Sequence, residues 1–394
     1  MEDELATLLA KLQEEGRFCS SGAFSIHLLA AAGKLRQLQM DPPERYVLKL
    51  IQAAVAAGGQ SIEIDVPTRK LRLTFDRQLL SFGQLEHLGE NLAEMVLDSG
   101  DRTLQHFCIG INSSLACDLS LLVVESWNES ERQVWTLTSS DQRLGRIALT
   151  RPQSPGTRVT LMKSRGWYDK EIELVKQSAQ YCPVPIRVGL HRISQGRFGM
   201  PALPRLGFLF SEYLRLNDDY VFGKCHRNHH LLEVRWPEAD PERAALGVSL
   251  KSAASSSQTF VPEGVEDPLA AAATPTCVRC RQVLAIEMDL KQTSRYQFIQ
   301  DGALVATAEP FALTWGSVGL ISANHLKTDL SQSRLIEDET YRATLKQINR
   351  DALTLEAIMQ ELVSNREHRS FPLARLVESR FAELRRRAAL EPGT

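Results

Sequence analysis

The feature that most constrains this chain is a change of hydrophobic period along its first half. Helix-spaced apolar residues come first, then a short alternating pair, then helices again, then a series of alternating runs. Ser61 to Val66 sets Ile62 and Ile64 between polar residues. Lys70 to Phe75 does the same with Leu71, Leu73 and Phe75, and Pro67-Thr68 between the two runs suits a hairpin. Helices are predicted over 82–96 and 103–115. Four strand-like runs follow, at Leu119 to Ser126, Gln133 to Thr138, Arg143 to Leu149 and Arg158 to Met162. Tyr168 to Gln180 then reads as a helix and Pro185 to Leu190 as a strand. This order does not alternate β with α, so a doubly wound parallel sheet is not expected. It predicts an α+β fold, with one mostly antiparallel sheet covered on one face by helices.

Upstream, Glu2 to Gln13 and Ser25 to Leu38 carry amphipathic helical spacing. Asp41-Pro42-Pro43 reads as a helix start, and the helix after it runs through Tyr46, Leu50, Ile51 and Val55 to Gly58-Gly59. The expected organisation is a first domain over 1–190, a second over 195–336 with a flexible Ala/Ser/Pro-rich insert at about 253–275, and a helical segment over 337–394. Strands are predicted in the second domain at 283–289, 296–300 and 304–307.

At 394 residues the chain can bury a sizeable core. Its net charge of -2 lacks the basic surplus usual for a nucleic-acid binder. No apolar run approaches the roughly 20 residues of a membrane span, and Met1-Glu2-Asp3-Glu4 is not the start of a secretory signal. Seven cysteines at irregular spacing fit a reducing compartment, so the expectation is a cytoplasmic protein with neither nucleic acid nor membrane as partner.

Four segments carry a resemblance. The helix Leu48 to Ala56 sets Lys49 and Ala53 four residues apart on one face. Strand Lys70 to Phe75 ends in Asp76-Arg77-Gln78-Leu79-Leu80, Gly110 and Ser113 lie in His106 to Ser113, and Gly156-Thr157 opens a strand. Farther on come Tyr296 to Gly302, Gly316 to Ser322 and Leu326 to Ser331. In this order the segments resemble the ninety-kilodalton heat-shock chaperones, within the gyrase/chaperone/histidine-kinase/MutL ATPase superfamily.

The resemblance implies a two-layer Bergerat-type ATPase-like sandwich, then an α/β chaperone middle-like domain and C-terminal helices. In the family the helix carries a Glu that orients water and an Asn that holds magnesium. Lys49 and Ala53 stand in those places, and Gln332 stands where an Arg reaches the γ-phosphate, with Arg334 two residues on. The resemblance leaves Asp76, Gly110 and Thr157 as cofactor-binding candidates. Each also has a local reading: Asp76 as the start of a turn, Gly110 as turn geometry, Thr157 as strand entry. No catalytic residue and no metal ligand survives, so ATP and magnesium are not expected as cofactors. The implied protein is a chaperone-like pseudo-ATPase that binds or scaffolds other proteins. The alternatives are an ATP-dependent chaperone with unusual active-site residues and a non-hydrolysing nucleotide sensor.

Three further features have two readings each. Cys225, a histidine among His226, His229 and His230, Cys277 and Cys280 offer a zinc ligand set, or are loop and strand residues. Arg380 and Arg385-Arg386-Arg387 form a basic helix end or a patch for an acidic partner. Lys49, alone among apolar neighbours, is expected to pair with Asp76 and plug the former pocket.

Overall fold

The first described helix is set by its flanks. Pro43–Arg45 makes a 3-10 turn, which leads into α1 (Tyr46–Ala56). At the other end the Gly58 and Gly59 amides donate back to the Val55 and Ala54 carbonyls at 3.0 and 2.9 Å, a Schellman stop. The structure, a computed structural model, describes residues 42–88, 101–138, 141–194, 222–226, 231–237, 246–249, 257–260, 277–287, 295–308, 317–329, 334–364 and 382. The predicted helices at 2–13 and 25–38, the Asp41 cap, the far part of the 82–96 helix, Gln332, His229, His230 and the Arg380 to Arg387 cluster lie outside them.

After α1 come β1 (Ile62–Asp65) and β2 (Lys70–Phe75), joined by a turn in which the Lys70 amide donates to the Pro67 carbonyl at 3.1 Å. Helix α2 (Phe82–Glu86) opens with a reciprocal capping box between Ser81 and Gln84. Helix α3 (Arg102–Ser114) is capped by Asp101, whose carboxylate accepts from the Thr103 and Leu104 amides. Strands β3 (Leu119–Trp127), β4 (Glu131–Thr138), β5 (Gln142–Ala148) and β6 (Gly156–Lys163) follow, then α4 (Asp169–Ser178), β7 (Ile186–Val188) and β8 (His191–Arg192).

These strands form one sheet in the order β5-β4-β3-β6-β2-β1-β7-β8. Every neighbouring pair is antiparallel except β1 with β7. Alternation decides which face is covered. Ile62, Ile64, Leu71, Leu73, Phe75, Leu122, Val124, Trp135, Val159 and Leu161 are buried and share one core with α1, α3 and α4. The opposite face carries Glu63, Asp65, Arg72, Glu125 and Arg158, all partly or fully exposed. The fold is α+β, with helices packed on one face of a mixed, mostly antiparallel sheet.

The second sheet comprises β9 (Phe222–His226), β10 (Leu231–Pro237), β11 (Leu246–Ser249), β12 (Ser257–Phe260), β13 (Cys277–Glu287), β14 (Arg295–Gln300), β15 (Ala303–Ala308) and β16 (Ser317–Ser322). Its order is β12-β9-β10-β13-β16-β14-β15, with β11 also on β13. Only β14 and β16 run parallel. The described residues of 195–336 thus contain strands and no helix, where an α/β arrangement is expected. Within 253–275, read as an insert, Ser257–Phe260 is a strand paired with β9. Helix α5 (Glu339–Ser364) follows and lies on this sheet, with Gln282 donating to Asp351 and the rings of Phe298 and Tyr341 5.7 Å apart. Among the described residues no helix is long and apolar enough to cross a membrane.

Candidate functional site

Among the described residues, a hairpin turn of the second sheet reaches the first unit and places a polar cluster there. Strands β14 and β15 pair with Gln300 opposite Ala303, which leaves a two-residue loop, Asp301-Gly302. Both residues have positive φ, 43° and 80°, as the type I′ turn that matches strand twist requires. A Cβ on Gly302 would lie 2.6 Å from Cys182 Sγ and 3.0 Å from Pro183 Cδ, so only glycine lets the tip seat against the first unit.

Seated there, the tip lies against α1 and α3. Asp301 Oδ2 accepts from Arg102 Nη2 and, at 2.9 Å, from His106 Nε2. Arg102 and His106 are four residues apart on α3 and so share a face. Gln52 of α1 donates to the Gln300 carbonyl at 2.8 Å, and Asn324 holds the Asp301 amide at 2.8 Å. Lys49, three residues before Gln52, belongs to the same side of α1. Lys49, His106 and Asp301 are each 2–3% exposed, so water contributes little to the solvation of these charges.

Burial pushes the Lys49 ammonium down to about 7. Asp301 and Asp329 act against that fall, while Arg45 and Arg102 add to it. Burial likewise lowers His106; its hydrogen bond to Asp301 opposes this and Lys49 reinforces it. A lysine held near neutrality inside a protein is a competent proton acceptor or donor. Here, however, it faces protein on every described side.

The expected pairing of Lys49 with Asp76 is not what the structure contains. Asp76 is exposed, and its two carboxylate oxygens accept from the Gln60 amide at 2.9 and 3.2 Å, closing the turn after α1. Among the described carboxylates Asp301 acts most on Lys49, because the hairpin tip reaches that side of the helix. Register does bring Asp76 and Thr157 close, since Phe75 pairs with Thr157. Their side chains nonetheless have separate tasks. The Thr157 hydroxyl, fully buried, accepts from the Leu79 amide at 2.8 Å, and Ser126 donates to the Leu80 carbonyl at 2.8 Å. These bonds fold Leu79 and Leu80 down into the core.

Gly110 lies inside α3 and not in a lid turn. A Cβ there would meet Leu50 Cδ2 at 2.9 Å and the Leu50 nitrogen at 3.3 Å, so the glycine sets the close crossing of α1 and α3. The Arg334 carbonyl accepts from the Asp329 amide at 2.9 Å, and its side chain is exposed. The zinc reading fails on register. Cys225 pairs with Leu232, which pairs with Ile286. That places Cys225 about six residues of strand, roughly 20 Å, from Cys280 on the same strand as Ile286. Thiolates bound at about 2.3 Å to one ion cannot span it.

Asp301, Arg102 and His106 were not among the candidates from sequence. A signal for the first exists: Asp-Gly between two alternating runs is a strong local sign of a hairpin. No protein-family model and no curated protein matches this chain.

Proposed function

We propose that the chain is a chaperone-like pseudo-ATPase, which binds or scaffolds other proteins without turning over ATP. On this reading the first sheet and its helices are a degenerate Bergerat-type ATPase-like sandwich, of the kind found in the ninety-kilodalton heat-shock chaperones. The observation that carries the proposal is the covering of one face of α1. Lys49 and Ala53, at the positions the resemblance gives to the water-orienting Glu and the magnesium-holding Asn, are 3% and 0% exposed beneath the other elements.

The chemistry agrees with this. Hydrolysis requires a base for water, a metal ligand and a cation at the γ-phosphate. Alanine cannot ligate a metal, and Lys49 is a buried cation where the resemblance has a carboxylate. Asp76 is engaged with the Gln60 amide, and Leu80 is a core residue where the resemblance has the second of its glycines beside a nucleotide. Function then rests on surfaces, and the partner class is protein.

The test is calorimetric titration of ATP and ADP, with and without magnesium, with thermal melting in parallel. No heat and no rise in melting temperature is the expected result. Magnesium-independent binding without turnover would favour the nucleotide sensor. Magnesium-dependent binding with turnover would refute the proposal and restore the active chaperone.

A further inference from the structure

The hairpin tip that covers α1 is held by charge in a place with almost no water. Among the described residues, the charged groups that act on the buried Lys49 and His106 are Arg45 beside α1 and Arg102 on α3 from the first unit, and Asp301 at the tip and Asp329 beyond β16 from the second. Protonating Lys49 and His106 adds two charges that are each only 3% exposed, beside Arg102, which already binds Asp301. The other described polar groups bonded at the tip, Gln52, Gln300 and Asn324, do not titrate. We propose that seating of the Asp301-Gly302 turn between α1 and α3 is a proton-linked latch, closed at neutral to alkaline pH and loosened in mild acid.

Linkage gives the sign. The seated state holds Lys49 near 7, and undocking returns it to water with an ordinary value of 10.5. Between those values the open state binds more protons, so seating strengthens as pH rises. From pH 6.0 to 8.5 Lys49 alone strengthens seating about 30-fold. His106, lowered from 6.5, acts in the same direction. The latch is independent of whether a nucleotide binds.

Cys182 is a built-in reporter, since its thiol is buried and Gly302 packs against it. The full-length protein is exposed to a thiol alkylating reagent at pH 6.0 and 8.5, and modification of Cys182 is followed by mass spectrometry of its peptide. Each rate is divided by that of the urea-unfolded chain at the same pH, which removes the thiol's own pH dependence. Wild type is expected to label at Cys182 at least about 30-fold faster, and up to about 120-fold with the His106 share, after this correction, at pH 6.0 than at 8.5. In Lys49→Met the ratio falls to about fourfold or less, the share His106 contributes down to pH 6.0 from its ordinary 6.5. Cys108, buried in α3, monitors global unfolding. A Cys182 ratio near one in wild type overturns the latch. So does an undiminished ratio in Lys49→Met, or a Cys108 rate that rises in step with Cys182.

Discussion

Gly110→Ala separates two roles for this glycine, as helix packing or as a cradle for phosphates. Propensity alone favours alanine in a helix interior by about 1 kcal/mol. Packing opposes it. The new methyl carbon would begin 2.9 Å from Leu50 Cδ2, 3.1 Å from Leu50 Cγ and 3.3 Å from the Leu50 nitrogen. Leu50 is fully buried, so its side chain cannot swing into solvent, and the backbone nitrogen belongs to α1 itself. Relief requires α1 and α3 to separate by several tenths of an ångström along their contact. Overpacking of this kind costs about 1–3 kcal/mol, which leaves a net loss of up to roughly 2 kcal/mol. Urea unfolding followed by far-ultraviolet circular dichroism measures it. A variant about 1 kcal/mol more stable than wild type, the full propensity gain, would show that the crossing gives way without cost. Unchanged stability combined with the loss of a measurable ATP affinity would restore the cradle reading.

Three further outcomes are expected. Thr157→Val removes the acceptor for the buried Leu79 amide and should cost about 1–3 kcal/mol in urea unfolding, with no effect on nucleotide titrations. Asp76→Ala should cost about 1 kcal/mol, the worth of a capping bond in partial solvent, measured the same way. Lys49→Met should raise stability at pH 7, with an upper bound of about 5 kcal/mol from the fall in its pKa from 10.5 to about 7. The unfolded chain holds the extra proton between those values, so wild-type stability should climb by about 2 kcal/mol from pH 7 to 9, and the variant should lack that climb.

Much of the first unit was legible in the sequence because its covered sheet face alternates strictly and its helices have marked ends. The Gly58-Gly59 stop, the runs at β1 to β6 and the helix at α3 all follow from such local rules. The second sheet was less legible. β10 does alternate, with Leu232, Val234 and Trp236, but β9 (Phe222–His226) and β12 (Ser257–Phe260) are short and polar, with no period to read. The candidate site was legible only in part. Lys49 stood out as a charge among apolar neighbours, yet the described carboxylate that acts on it most is 252 residues away in the sequence, and no local rule selects Asp301 over Asp76. Gly110 misled for a related reason. A glycine that lets two helices approach and one that frees a turn look alike until the neighbouring helix is in place.

The same helix that meets Asp301 midway also meets a buried ion pair at its start, and that pair allows a sharper energetic test. Glu171 on α4 is fully buried; one oxygen accepts from Lys163 Nζ at 2.6 Å and from Tyr46 Oη at 3.3 Å, while the other has no partner. Lys163 also lies 4.7 Å from the centre of the Tyr168 ring and donates to the Trp167 carbonyl at 3.2 Å. The cation therefore has other company and some access to water, while the carboxylate keeps only the long Tyr46 bond. Removing the cation should hurt more than removing the anion. Lys163→Met strands Glu171 in the core and should cost about 3–5 kcal/mol, whereas Glu171→Leu leaves a lysine 12% exposed that can turn toward water. The double variant should recover most of the Lys163→Met loss, because paired burial of charge contributes little net stability once both charges are gone. Urea unfolding of the four proteins gives the cycle. If the two single losses simply add in the double variant, the groups do not depend on each other and the asymmetry argued from their contacts is wrong.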